Sequence, residues 1–138
     1  MIKFRGIPLE DTRDIDGVDF DGTFVYGNYI KYGDGTLIVG DALQADEDGC
    51  WPSWWVPVDP KTVGQYTGMK DMNGKEIYEG DLVRLTDDLE NPYKVIFDEA
   101  KFEFLGGRFC YDFSEAFMDY EVIGNIHKNP ELLEESNE

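Results

Sequence analysis

The stretch VGQYTGMKDMNGKEIYEGDLVRL, Val63 to Leu85, carries four carboxylates, two lysines and an arginine within 23 residues. Such a density marks either a catalytic cleft or the turn chemistry of a small β module. The spacing points to turns. Asn73-Gly74 is the strongest short hairpin signal a sequence offers, because both residue types tolerate the positive φ of a two-residue type I′ turn. Lys70, Asp71, Lys75 and Glu76 flank it, where exposed cross-strand ion pairs contribute about 0–1 kcal/mol each. A second turn is read at Glu79-Gly80-Asp81, before the apolar run Leu82, Val83 and Leu85. The acids decorate turns, and no rigid motif sets two of them face to face. Gly64, Gly68, Asn73, Gly74, Gly80 and Asp81 are therefore read as the residues that define the turns of the fold.

Downstream, YKVIFDEAKFEFLGGRFCYDF reads as three strands joined at Asp98-Glu99 and Gly106-Gly107. Phe102 and Phe104 alternate with Lys101, Glu103 and Leu105, the period of two that a strand requires. SEAFMDY suggests one helical turn with Ser114 as its N-cap. EVIGNIHKN is a last strand, and PELLEESNE starts as a short helix with Pro130 at its first position, ending in an acidic tail.

Upstream, IKFRGIPL alternates as a half-buried strand, and EDTRDIDGVDFDG and QADEDG read as solvated acidic loops. TFVYGNYIKYGDGTLIVGDAL is a hairpin around Gly33-Asp34-Gly35. In CWPSWWVPVDP, Pro52, Pro57 and Pro60 lack an N–H, which argues against a central strand and leaves an edge strand near Trp54–Val58. A turn at Asp59-Pro60-Lys61-Thr62 follows, its φ pre-set by Pro60 and its end capped by Asp59. The count is eight or nine short strands and no long amphipathic helix. The expected fold is mainly β, with short twisted antiparallel strands and minor helical turns. Its C-terminal half is expected to be a small, partly open SH3-like barrel. An N-terminal β part with acidic loops at 1–58 and a barrel-like part at 59–138 are expected, as two subdomains or one integrated domain.

Composition narrows the function. The chain has 138 residues and a formal charge of −18, which disfavours nonspecific binding to nucleic acid or anionic lipid and suits a basic partner. Leu, Ile, Val and Phe number 36, enough with three Trp and eight Tyr for a packed core. Cys50 and Cys110 are the only cysteines. With no signal-peptide pattern and no apolar run near 18 residues, reduced thiols and a cytoplasmic location are expected.

Candidate chemistry is sparse. An EF-hand loop needs Gly at position 6 and Glu at 12. Gly49 at position 6 gives Gln44, Asp46 and Asp48 but puts Trp55 at 12. Gly17 gives Thr12, Asp14 and Asp16 but puts Thr23 there. No zinc spacing and no phosphate-binding glycine motif occurs, so no cofactor and no dedicated metal site is expected; weak, adventitious Ca²⁺ or Mg²⁺ binding in DTRDIDGVDFDG is the alternative to a solvated acidic loop there. His127, the only histidine, has no Ser or Cys near it in sequence, and no catalytic residue is assigned. Trp51, Trp54 and Trp55 have two readings. The ordinary one is core packing; the other is a proline-stiffened interface anchor, since Trp is enriched in binding hot spots.

Four segments, IKFRG, VDPKTVGQYTGMKDMNGKEIYEGDLVRL, VIFDEAKFEF and YEVIGNIHKNPELLE, together resemble the YopX family of phage and prophage proteins. The resemblance implies a mainly-β protein of phage or prophage origin, without a catalytic motif to transfer, and with self-assembly suspected. The family pattern falls on Gly64, Tyr66, Gly68, Asn73, Gly74, Gly80 and Asp81, which are turn formers and packing residues. The leading expectation is a non-enzymatic accessory protein in the host cytoplasm. It would be an acidic interaction or self-assembly module, homo-oligomeric or bound to a host or phage protein with a basic surface. Direct contact with nucleic acid or membrane is not expected. A DNA mimic that inhibits a host nucleic-acid-binding enzyme is the alternative, followed by a small-ligand-binding domain or hydrolase using His127.

Overall fold

Apolar runs broken by Gly, Asp and Pro produce thirteen β-strands and no long helix among the described residues of the computed structural model. Those residues are 3–12, 15–46, 49–86, 88–98, 101–106, 109–112 and 119–132, with the backbone alone at 32, 42–46, 49–51, 88–90, 98 and 109–112. The chain divides into two compact units, Met1–Gln65 and Tyr66–Glu138.

In the first unit, β1 (Phe4–Gly6), β2 (Val25–Tyr32), β3 (Gly35–Val39) and β6 (Trp55–Pro57) lie side by side in the order β6-β3-β2-β1, all antiparallel. Gly64 and Gln65, which open β7 (Gly64–Lys70), pair with Arg5 and Phe4 of β1. A two-residue Gly33-Asp34 turn joins β2 to β3, with Tyr32 opposite Gly35 and Gly33 at φ +59°. Proline confines β6 to the edge, as expected. The acidic QADEDG segment departs from expectation. Ala42–Asp46 is strand β4 and pairs with β5 (Gly49–Pro52) as a separate two-stranded ribbon. Backbone pairing in such a ribbon needs no apolar face, so acidic composition did not forbid it. This pair helps explain why eight or nine strands was too low a count.

Alternation along β2, β3 and β6 sends Val25, Ile38 and Val56 into one core with Val58 and Trp54, against which Phe4, Ile15, Val18 and Val63 pack. Each such aliphatic residue contributes about 1.5–3 kcal/mol by leaving water. A 3-10 turn, Pro60–Thr62, closes the unit. The Lys61 N–H donates to Asp59 Oδ1 at 3.0 Å, and Thr62 Oγ1 accepts from the Ile7 N–H at 2.8 Å.

In the second unit, the rest of β7 pairs with β8 (Glu76–Tyr78). The turn between them is longer than the sequence suggested. The Gly74 N–H donates to the Asp71 carbonyl at 3.0 Å, and the Asp71 N–H to the Lys75 carbonyl at 2.8 Å. Met72 and Asn73 are thus the central residues, and Gly74 after them takes the left-handed position at φ +83°. The reason is the Asp71 carboxylate. Its Oδ1 accepts from the N–H of Asn73 and of Lys75, each at 2.9 Å, holding the wider loop. Gly68, at φ +86°, sits in a bulge of β7 where the register shifts between Tyr66 and Lys70.

A third turn leads into β9 (Asp81–Leu85). The Tyr78 N–H donates to Asp81 Oδ2 at 2.8 Å, and Gly80 stands at φ +94°. Beyond it, β9, β10 (Asp88–Asp98), β11 (Lys101–Gly106) and β12 (Phe109–Asp112) form a meander. β13 (Tyr120–Asn125) returns along the free side of β9, giving the order β12-β11-β10-β9-β13. This sheet is open, since its order is linear and no barrel closes. Ile77, Val83, Leu85, Tyr93, Val95 and Phe104 form its core. The Ser114 helical turn expected from SEAFMDY lies outside the described residues, and Glu131–Leu132 is helical after Pro130.

Candidate functional site

A cleft of about 510 Å³ opens in the first unit. It is lined by Lys3, by Asp19 in the loop before β2, by Tyr26 and Asn28 of β2, and by Asp41, Ser53 and Trp54 beyond β3. Three glycines, at 17, 27 and 40, are part of the lining. At Gly40 a β-carbon would lie 2.5 Å from Trp54 Nε1 and 2.5 Å from Ser53 Oγ, so only glycine lets the indole approach this closely. Trp54 is 7% exposed and belongs to the core; one edge of it finishes the cleft.

Tyr26 is held from below. Asp21 Oδ1 accepts from the N–H groups of Thr23 and Phe24 at 2.8 and 2.7 Å, and Asp21 Oδ2 accepts from the Tyr26 hydroxyl at 2.6 Å. Burial pushes the Asp21 carboxyl upward, but the Tyr26 hydroxyl and the two backbone donors outweigh it and leave the pKa below the usual value. Burial, then the hydrogen bond to Asp21, raises the Tyr26 phenol well above its ordinary range. The ring is thus fixed in one neutral form. The Arg5 guanidinium, 3% exposed, lies 4.1 Å over the Phe24 ring beside this pair. The Lys3 ammonium stands 5.5 Å over the Tyr26 ring itself, a cation–π contact inside the cleft.

The sheet face that carries the cleft continues as an apolar ledge. Asn28, Val39 and Trp55 oppose one another across β2, β3 and β6, as do Ile30, Leu37 and Pro57 in the next row. Directly opposed side chains share a face at Cβ separations of about 4.5–5.5 Å. Trp55 is 60% exposed and Ile30 42% exposed, with Leu37 and Pro57 half-buried between and beside them. The tryptophan cluster therefore divides: Trp54 packs inward, Trp55 faces water, and the Trp51 side chain lies outside the described residues.

The turn residues Gly68, Asn73, Gly74, Gly80 and Asp81 line no part of this cleft, nor does Gly64. His127 belongs to the second unit, in the turn after β13, where its N–H donates to Asn125 Oδ1 at 3.0 Å. Sequence reasoning missed Lys3, Asp19, Asn28, Asp41 and Ser53. Period-two alternation in β2 was the available signal for Asn28, since it puts Tyr26, Asn28 and Ile30 on one face. Nothing local marks Asp19 or Asp41 among 30 acids. Among the described residues no group of three or more His, Cys, Asp or Glu side chains is placed to hold a metal ion, and no helix is long and apolar enough to cross a membrane.

Two units of antiparallel sheet, one of them with a shallow polar cleft beside an exposed apolar row, define a small, acidic, mainly-β protein. The chain belongs to the YopX family, whose model, described as YopX protein, matches residues 21–134. The match runs through 21–57, where the quoted motifs are absent, and leaves β1 outside. Among solved structures, the chain is similar to the crystal structure of protein EF1440 from Enterococcus faecalis, with 23% identity and a TM-score of 0.49 over 96% of this chain and 98% of that one. No curated protein matches.

Proposed function

We propose that the protein is a non-enzymatic accessory protein of phage or prophage origin, acting in the host cytoplasm as an acidic protein-interaction module. Trp55 carries this reading. A tryptophan 60% exposed on a proline-stiffened edge strand, with Ile30 also exposed on the same face, is the residue type and setting of an interface hot spot. The partner is a protein with a basic surface. Copies of the chain meet through the same face once salt screens their charge of −18.

Light scattering over a salt series, on wild type and Trp55→Ser, tests it. Wild type should self-associate more strongly as salt rises, and Trp55→Ser should remain monomeric. The variant's stability should change by no more than about 0.5 kcal/mol, because the side chain is mostly solvated. A wild type that is monomeric at every salt concentration, and that retains no basic protein which Trp55→Ser loses, defeats the proposal.

A further inference from the structure

We infer that the cleft of the first unit is a subsite for an arginine side chain of the partner, inserted while neighbouring apolar residues of that partner lie on the Trp55 row; this rests on the interaction reading above. The cleft carries two carboxylates, Asp19 and Asp41, both exposed, and one ammonium, Lys3. One negative charge is left over, which suits one further cation and repels a phosphate or carboxylate ligand.

The walls select the kind of cation. The Tyr26 ring already holds one, the Lys3 ammonium at 5.5 Å, and the Trp54 indole edge and the Asn28 and Ser53 side chains complete the lining. A guanidinium is planar and donates in a fork that matches a carboxylate such as Asp19 or Asp41. An ammonium offers neither the plane nor the fork. The volume, about 510 Å³, falls in the range of pockets that take small ligands, roughly 300–1,000 Å³.

The neighbouring ledge specifies what accompanies the arginine. Val39, which lines the cleft, is the register partner of Trp55, and paired strands lie about 4.8 Å apart. A residue one or two positions from the arginine in an extended segment therefore reaches the exposed indole. The occupant is a segment of a basic protein with arginine next to large apolar residues.

The probe is N-acetyl-arginine amide, titrated into the full-length ¹⁵N-labelled chain and followed by amide and indole NMR shifts, with N-acetyl-lysine amide and N-acetyl-norleucine amide as comparisons. Saturable shifts are expected at Gly17, Asp19, Asn28, Gly40, Asp41 and Ser53 and at the Trp54 indole N–H. The lysine analogue should bind more weakly, and the norleucine analogue should leave the cleft unshifted. The double variant Asp19→Asn, Asp41→Asn should lose affinity for the arginine probe by about tenfold, while its amide spectrum elsewhere stays as in wild type. Unsaturable shifts scattered over the acidic surface, or a double variant that binds like wild type, overturn the subsite. Trp55→Ser separates the two readings. If it abolishes association while the arginine titration fails, the interaction face stands and the subsite falls; if the titration succeeds in a strictly monomeric, partnerless protein, the reverse holds.

Discussion

Replacing Asp71 by alanine should cost the second unit about 3–4 kcal/mol, because one carboxylate satisfies three backbone donors at once. Asp71 is 7% exposed. Besides the Asn73 and Lys75 N–H groups, its Oδ2 accepts from the Val122 N–H of β13 at 2.9 Å. The Met72 N–H donates to the Tyr120 carbonyl at 3.0 Å beside it. The side chain thus ties the β7–β8 turn to a strand some 50 positions away in sequence, at Val122. Alanine leaves the three N–H groups without this acceptor. Amide exchange should accelerate at Asn73, Lys75 and Val122 together. An exchange increase at the turn alone would show that the link to β13 contributes little.

The same carboxylate sets an acid limit. Burial pushes its pKa up, but the hydrogen bonds from Val122, Lys75 and Asn73 and the charge of Lys75 more than reverse this, leaving it below 3.8. A carboxyl lowered on folding stabilises the folded state above its unfolded pKa, and that stabilisation is lost as pH falls through the folded value. Wild type should therefore lose stability below about pH 4, and Asp71→Asn should show a shallower loss over that window. Equal slopes in a denaturant series from pH 5 to about pH 2 would assign the acid sensitivity elsewhere.

Gly27→Ala should destabilise the first unit by about 3 kcal/mol, a large effect for one methyl group. A β-carbon at this position would lie 2.3 Å from the Val39 carbonyl oxygen and 3.2 Å from Ile38 Cγ2. The first contact is backbone of the adjoining strand, which cannot rotate away. To admit the methyl, β2 and β3 must part near the Asn28–Val39 pair that borders the cleft. Denaturant titration should move to a lower midpoint, and the indole N–H of Trp54 should shift in the NMR spectrum. A stability within about 0.5 kcal/mol of wild type would mean that β2 and β3 admit the methyl group at little cost.

Much of this architecture was legible in the chain. The Gly33-Asp34 turn, the proline-limited edge strand at Trp55–Pro57, the Asp59 cap and the alternation of Phe102 and Phe104 follow from φ restrictions, missing N–H groups and a period of two. Each involves neighbours in sequence. The type I′ expectation at Asn73-Gly74 failed because Asp71, with donors at 73, 75 and 122, outweighed the local preference for a two-residue turn. The β4–β5 ribbon was hidden by its acidity.

Local chemistry alone commits the protein to antiparallel sheet, to its turn glycines and to a strongly acidic surface. A dipeptide's turn preference or a proline's missing donor acts within a few residues, so these properties can be read without knowing what lies across the sheet. The division of labour between Trp54 and Trp55, and the meeting of Lys3, Asp19, Tyr26 and Asp41 around one cleft, were set by strand register and loop closure. Adjacent residues of a strand face opposite ways, and which way is inward depends on the strands it pairs with. That information resides in contacts between distant parts of the chain, and one residue's shift in register would have buried Trp55 and exposed Trp54.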